Sequence, residues 1–357
     1  MSSYDFGVKR ANLSETRVEA VEMPALGPGE VLFRVDSYAL TANNITYGVA
    51  GDLIGYWRFF PAEGEWGRIP VWGIGTVLAS DVEGIAVGNR YYGYFPMSGH
   101  LVVRPGPARP HGFADHSAHR QELPPVYNQY SLMTEALGFH SRYDRHQMIY
   151  RPLFTTSFML ADWLVDNDFF GAPQVVLASA SSKTAFGTAF LLRGRAQKIV
   201  GLTSQANRAF VERLGLYDAV LTYAEVASLD AAVPTAYVDM SGNRRVLAAM
   251  HHHFGANLVN SCSVGITHHD AREGEDPRTL PGARPTLFFA PSQIQKRSKE
   301  WGPAVYQHKL GAAWQAFLDV VDDWVEIVES PAPEQLQRVY GTVLAGPAPD
   351  KAYVLKY

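Results

Sequence analysis

The stretch Gln174-Val-Val-Leu-Ala-Ser-Ala-Ser-Ser-Lys-Thr-Ala-Phe-Gly187 decides the fold. Its first six residues form a short apolar run closed by small hydroxyl residues, which reads as a buried strand followed by a tight turn. Residues 182–195 then read as a helix. The alternation continues outward in both directions. A helix is expected over 152–170. Downstream come a strand at Lys198-Ile-Val-Gly-Leu-Thr, a helix over 205–214 and a strand at Ala219-Val-Leu-Thr. A strand at Ala236-Tyr-Val-Asp-Met, a helix over 243–253 and a strand at Asn257-Leu-Val-Asn-Ser follow. Short apolar strands alternating with helices predict an α/β fold with a parallel, doubly wound sheet. After a polar loop (267–284), Thr286-Leu-Phe-Phe-Ala reads as one more strand. A helix over 303–328 and a final strand, Ala352-Tyr-Val-Leu-Lys, complete the pattern.

The first hundred residues are patterned differently. Val31-Leu-Phe-Arg-Val-Asp-Ser-Tyr alternates apolar and polar positions after the turn signal Gly27-Pro-Gly-Glu. Further short strands are expected over 71–79, 90–95 and 100–104, separated by Gly-containing turns, which predicts a barrel-like or sandwich-like module. Residues 105–147 open Pro105-Gly-Pro-Ala-Arg-Pro and carry five of the twelve His without any clear period. They read as a long surface excursion, a kind of segment that is more often functional than accidental.

The chain has 357 residues, 47% hydrophobic and 18% charged, an ordinary globular composition. Its 31 Lys and Arg against 35 Asp and Glu give a net charge of −4, which argues against a surface built for nucleic-acid phosphates. The single Cys262 excludes an intrachain disulfide and a tetrathiolate metal site. Met1-Ser-Ser-Tyr-Asp-Phe has no apolar signal core, and no apolar run approaches the ~20 residues needed to span a bilayer. The expectation is a soluble, cytoplasmic protein with neither a nucleic-acid nor a membrane partner.

Several motifs sharpen this organisation. Ser37-Tyr-Ala-Leu-Thr-Ala-Asn-Asn-Ile-Thr, Ile69-Pro-Val-Trp-Gly-Ile-Gly-Thr-Val and Val87-Gly-Asn-Arg-Tyr-Tyr-Gly lie in the β-rich part. Pro333-Glu-Gln-Leu-Gln-Arg-Val-Tyr and Asp350-Lys-Ala-Tyr-Val-Leu close the chain. Together they resemble the medium-chain dehydrogenase/reductase superfamily. The resemblance implies a GroES-like, partly open barrel domain (1–128 and 286–357) and a Rossmann-like nucleotide-binding domain (146–285), with 129–145 as a linking excursion. It also implies a homo-oligomer, dimer or tetramer.

In that family a Gly-rich turn after the first nucleotide-domain strand lets backbone N–H groups meet a pyrophosphate. Here the glycine positions fall on Ser181, Ser182, Lys183 and Thr184. Small hydroxyl residues still permit close approach and Lys183 adds charge, although the same residues would serve equally as an ordinary helix cap. The second strand ends Gly201-Leu-Thr-Ser-Gln-Ala-Asn-Arg without a carboxylate for a ribose 2′-hydroxyl. Ser204, Arg208 and Tyr223 resemble the positions that hold the 2′-phosphate in NADP-dependent members, so NADP(H) is expected over NAD(H). For Arg208 an exposed helix residue is the bland alternative.

Zinc chemistry in this family needs cysteines that a chain with only Cys262 does not have, and Thr41-Ala-Asn-Asn stands in the region of the first ligand. The resemblance is therefore to the zinc-free, quinone-oxidoreductase-like branch, with no metal expected. Hydride transfer without a Lewis acid favours a quinone or a carbonyl-conjugated double bond. Asn43, Tyr47 and Tyr56 are the candidates for substrate contact and proton donation. The aromatics from Tyr47 to Trp72 suggest an apolar cleft for a small apolar or aromatic substrate. His251-His252-His253 falls within an expected helix, where neighbours point about 100° apart and cannot share one ion. With His268-His269-Asp270, in a polar loop, it reads as surface or helix-end histidine. The rival reading is a non-catalytic or regulatory protein that keeps the fold, with or without bound nucleotide.

Overall fold

The computed structural model describes residues 2–195, 197–264 and 274–357. The chain forms two compact units: Met1–Ile149 with Ile327–Tyr357, and Tyr150–Glu326. The first opens with β1 (Ser2–Lys9), β2 (Asn12–Glu22) and β3 (Val31–Leu40), then helices α1 (Ala42–Val49) and α2 (Gly51–Ile54). Strands β4 (Trp66–Gly67), β5 (Pro70–Ser80), β6 (Arg90–Pro96), β7 (His100–Val103), β8 (Gly112–Ala114) and β9 (Gln129–Leu132) follow. The long helix α3 (Asp144–Asp166) leads on to the second unit.

That unit contains β10 (Gln174–Ala178), α4 (Lys183–Leu192), β11 (Lys198–Thr203), α5 (Arg208–Leu214) and β12 (Ala219–Thr222). It continues with β13 (Thr235–Asp239), α6 (Arg244–Phe254), β14 (Leu258–Ser263), β15 (Thr286–Leu287), α7 (Ala290–Glu300) and α8 (Pro303–Leu318). The chain then returns through β16 (Glu326–Pro331), α9 (Leu336–Leu344) and β17 (Lys351–Lys356).

In the second unit the sheet order is β12-β11-β10-β13-β14-β15, and the pairings between neighbours are parallel. Every residue of β10 is buried, which is why its sequence is a continuous apolar run rather than an alternating one. The connections after β10 and after β13 run to opposite sides of this order, so a crevice opens at the carboxyl ends of those two strands.

In the first unit, β16-β17-β3-β5-β6-β9-β8 form one sheet, with β7 also on β3, and β2-β1-β4 form another. Gly73 and Gly75 belong to the close crossing of β5 over β3. A Cβ at either position would meet a backbone carbonyl, Ser37 O at 2.8 Å or Arg34 O at 2.9 Å, with the Phe95 ring on the other side. The core of this unit is largely aromatic, with Phe6, Phe33, Tyr38, Phe59, Tyr94 and Phe95 fully buried.

Several expectations need correction. Residues 105–147 are a surface excursion only in part: 107–111 and 134–138 are exposed, but the middle of the segment is folded into the sheet and core. β9 pairs with β6 and β8, and Tyr130 stacks on Phe33 at 5.8 Å and on Phe113 at 5.2 Å. Asp115 and Arg120 form a buried ion pair at 2.6 Å within the same segment. The helix expected over 303–328 ends at Leu318, because Glu326-Ile-Val-Glu is claimed by β16 in the sheet. The strand expected at 286–290 is only Thr286–Leu287, and α7 starts immediately after it with Pro291 in its first turn. The second unit runs to Glu326 rather than 285, since α7 and α8 are fastened to α3. Arg297 Nε and Gln293 Nε2 each reach Asp162 at 2.6 Å, and the Phe317 and Phe154 rings lie 4.7 Å apart. α3 itself begins at Asp144, well before the expected 152, and Asp168, Phe169 and Phe170 carry the chain out of it with φ of 46°, 49° and 59°.

No helix among the described residues is long and apolar enough to cross a membrane.

Candidate active site

The first constellation is built on α1, in the first unit. Asn44 fixes the start of that helix. Its side-chain carbonyl accepts the Thr41 N–H at 2.8 Å, and its amide donates to Pro70 O at 2.9 Å. This leaves the neighbouring Asn43 to serve another purpose, and its Nδ2 donates to the Tyr47 hydroxyl at 2.7 Å, one helical turn on. The Tyr56 ring lies 4.5 Å from that of Tyr47, so the three candidate residues stand in one contiguous group.

Sequence reasoning missed Tyr127, supplied by the segment 105–147. Its hydroxyl bonds to that of Tyr56 at 3.0 Å, and its ring stacks on Tyr94 at 4.8 Å. Trp72 packs on Tyr94 at 5.1 Å. The Trp72 indole N–H and the Tyr94 hydroxyl lie beside the Tyr47 hydroxyl, buried and without a completed hydrogen bond. Burial pushes the phenols of Tyr47, Tyr56 and Tyr94 well above the ordinary tyrosine value. They remain protonated at neutral pH and act as donors rather than bases. Trp72 and Tyr94 were visible as part of the aromatic run, whereas nothing local to Tyr127 marked it.

The second constellation is the turn after β10, in the second unit. Ser179 adopts φ +57°, a left-handed conformation that favours glycine, and its carbonyl accepts the Ser182 N–H at 2.7 Å. Ser182 caps α4, its hydroxyl accepting from Ala185 N at 3.3 Å. Ser181 accepts from Asn207 Nδ2 at 3.0 Å, and Tyr217 donates to Ala180 O at 2.8 Å. Tyr217 lies where Gly201 leaves room: a Cβ on that glycine would meet the ring at 2.9 Å.

Ser181, Ser182, Lys183 and Thr184 thus open α4 together, all half-buried. Ser204 follows the end of β11 and precedes the turn that leads into α5. Tyr223 sets its hydroxyl on Ser179, and burial, with Asp239 nearby, pushes it up to about 12. Asp239, buried at the end of β13, accepts from Ser241 N at 2.8 Å and Gly242 N at 3.1 Å. Ser179, Tyr217 and Asp239 were not among the expected residues. A serine with positive φ gives no signal in sequence.

Arg208 is positioned by two carboxylates. Its Nε donates to Glu212 at 2.9 Å, and its Nη1 donates to both oxygens of Glu225 at 3.0 and 2.9 Å.

The remaining candidates for metal or nucleophilic chemistry are occupied elsewhere. His251 bonds to Pro281 O and Ser261, His252 to Glu275, and His253 to Leu229 O. Among the described residues no three His, Cys, Asp or Glu side chains are grouped to hold a metal ion. The His268-His269-Asp270 loop lies outside the described residues. Cys262 is buried, which pushes its thiol up to about 12 and makes it a packed side chain rather than a nucleophile.

Solved structures share this architecture across the whole chain. CurA from Vibrio vulnificus in complex with NADPH superposes with a TM-score of 0.64 at 12% identity, covering 99% of this chain and 98% of that one. The mitochondrial 2-enoyl thioester reductase Etr1p/Etr2p heterodimer from Candida tropicalis gives 0.61 at 10% identity, with 100% of each chain covered. A protein described as an NADPH:quinone reductase from Bacillus thuringiensis gives 0.59 at 11%, covering 100% and 99%. At these identities the likeness shows the fold alone, a GroES-like β-rich domain and a Rossmann-like parallel α/β domain. No curated protein matches the sequence. A family model described as "Protein of unknown function (DUF2855)" matches residues 38–349. The chain belongs to that family.

Proposed function

We propose that the protein is an NADPH-dependent, zinc-independent reductase acting on a quinone or a carbonyl-conjugated double bond of a small apolar substrate. The observation that carries this reading is the turn after β10. It lies at the point where the strand order reverses, opens a capped helix with small hydroxyl residues, and holds Tyr223 against Ser179. That location and donor chemistry fit a dinucleotide. Ser181, Ser182, Lys183 and Thr184 would hold the pyrophosphate, with Ser204, Arg208 and Tyr223 at the adenosine ribose. NADPH bound there would supply a hydride.

The chain's own contribution to the chemistry lies in the first unit. Tyr47 holds a proton at its hydroxyl oxygen, kept neutral by burial, and Asn43 donates to the same oxygen. Tyr56, Tyr94, Tyr127 and Trp72 surround that hydroxyl with aromatic surface and exclude water from it. A carbonyl oxygen gaining negative charge is the acceptor such a donor suits. The reading includes a homo-oligomer in the cytoplasm. The exposed Leu287 and Phe289 at the β15 edge of the parallel sheet support assembly.

Loss of the reduced-cofactor absorbance, measured with a panel of quinones and enones, tests the proposal. Turnover is expected for the wild-type protein, and Tyr47→Phe is expected to lower kcat by about 10²-fold or more. Wild-type protein that consumes no NADPH with any acceptor would overturn the enzyme reading. Tight NADPH binding without turnover would instead support a regulatory protein on the same fold.

A further inference from the structure

Of the three residues proposed for the adenosine end, Arg208 has the planar, charged donors suited to a 2′-phosphate, and it is already engaged. Both oxygens of Glu225 accept from its Nη1, and Glu212 accepts from its Nε. One cation is held by two carboxylates, so the cluster carries net negative charge.

Glu225 is itself fixed. Its Oε2 also accepts the Thr222 N–H at 2.8 Å and the Thr222 hydroxyl at 3.0 Å, closing the turn at the end of β12. Its carboxyl lies below the ordinary glutamate value, first through the Thr222 backbone bond and then through Arg208. It is ionised wherever the protein would work. The pair is part-exposed, at 33% for the Arg208 side chain and 39% for Glu225, so a ligand can reach it.

We infer that Glu225 sets the cofactor discrimination of this protein by competing with the 2′-phosphate for Arg208. This rests on the cofactor reading above and goes beyond it. A dianionic phosphate approaching Arg208 must displace a carboxylate that is anchored on its other side, and it meets that carboxylate's charge while doing so. An unphosphorylated ribose bears only hydroxyls, which a carboxylate accepts from without penalty. Glu225 therefore costs NADPH affinity, leaves NADH affinity almost unchanged, and narrows the wild-type protein's preference for NADPH.

Replacing the carboxylate by an isosteric amide tests this. Glu225→Gln keeps an acceptor for Thr222 and removes the competing charge. Equilibrium titration of NADPH and NADH, followed calorimetrically, reads affinity without any need for turnover. The expected result is an NADPH Kd about tenfold lower in Glu225→Gln, the scale of one charge-assisted contact. NADH should stay within about twofold. The gain should vanish when Arg208→Ala is added, because the coupling runs through that side chain. Glu212→Gln, which leaves the Thr222 turn untouched, should move NADPH in the same direction by a smaller factor. Equal changes for both nucleotides, or none, would overturn the role of Glu225 while leaving the cofactor reading in place. Failure of either nucleotide to bind either protein would overturn the cofactor reading and this inference with it.

Discussion

His251 shows what a single side chain can do once the fold has placed it. Its ring is fully buried, with Nδ1 2.7 Å from Pro281 O and Nε2 2.9 Å from Ser261 Oγ. A carbonyl can only accept, so Nδ1 carries the hydrogen and Nε2 accepts from Ser261. Burial, the largest effect, lowers its tendency to take a second proton below that of an ordinary histidine at 6.5. The neutral ring therefore stabilises the folded protein fully above about pH 6.5, and that contribution is lost as pH falls through the lower folded value. Urea unfolding at neutral and mildly acidic pH should show this loss. His251→Ala should flatten the pH dependence and cost about 1–3 kcal/mol at neutral pH. At this scale the sequence was least informative. His251, His252 and His253 look alike in a row, and only the burial of one face of α6 separates a core hydrogen-bonding group from an exposed and a half-buried one. The same is true of Arg208: its partner Glu212 stands one helical turn on, but its other partner, Glu225, could not be read, since it meets Arg208 only through the turn after β12.

Among the elements, the central parallel strands β10, β11 and β13 were legible because burial on both faces leaves an unmistakable mark: a brief apolar run between helices. The segment 105–147 was not legible, because its order comes from partners far away in sequence. Tyr130 donates to Tyr94 O at 2.6 Å, and the Arg120 guanidinium lies 4.9 Å from the Phe60 ring centre and 5.3 Å from that of Phe59. A stretch with no internal period can still be core when its neighbours supply the pattern. The Arg120–Asp115 pair is the fastening, with side chains only 1% and 3% exposed. Asp115→Ala should leave a guanidinium buried without its counter-charge and cost about 3–5 kcal/mol, read from chemical denaturation. Because Asn128 bonds to Arg120 O at 3.2 Å, the same variant should also loosen Tyr127, the next residue along the chain. α7 escaped notice for a different reason: Leu287-Phe-Phe looked like the body of a strand, yet the chain turns into a helix at Ala290.

At the level of the whole molecule, the chain begins one unit, builds the other, and comes back to finish the first. The β-rich start and the α/β middle were both evident in sequence from their different periods. β1 and β2 were not, because the apolar alternation is weak in a hairpin whose second strand is largely half-buried or exposed. The return has a cost that appears only in time. β17 lies directly against β3, pairing Tyr353 with Leu40 and Leu355 with Tyr38. β17 leaves the ribosome long after β3, with the whole second unit made in between. At about 5–20 residues per second, the edge of β3 must wait on the order of tens of seconds for its neighbour, with Tyr38, Ala39 and Leu40 unpaired meanwhile. An open apolar edge is a template for association with other chains. A chain truncated after residue 350 makes that wait permanent. It should accumulate in the insoluble fraction, while limited proteolysis of whatever stays in solution should still recover a resistant fragment spanning 150–326. The newly made chain is most exposed to misassembly in the interval before β17 arrives, and slowing synthesis of the stretch between β3 and β17 should lower the soluble yield more than slowing synthesis of the residues before β3.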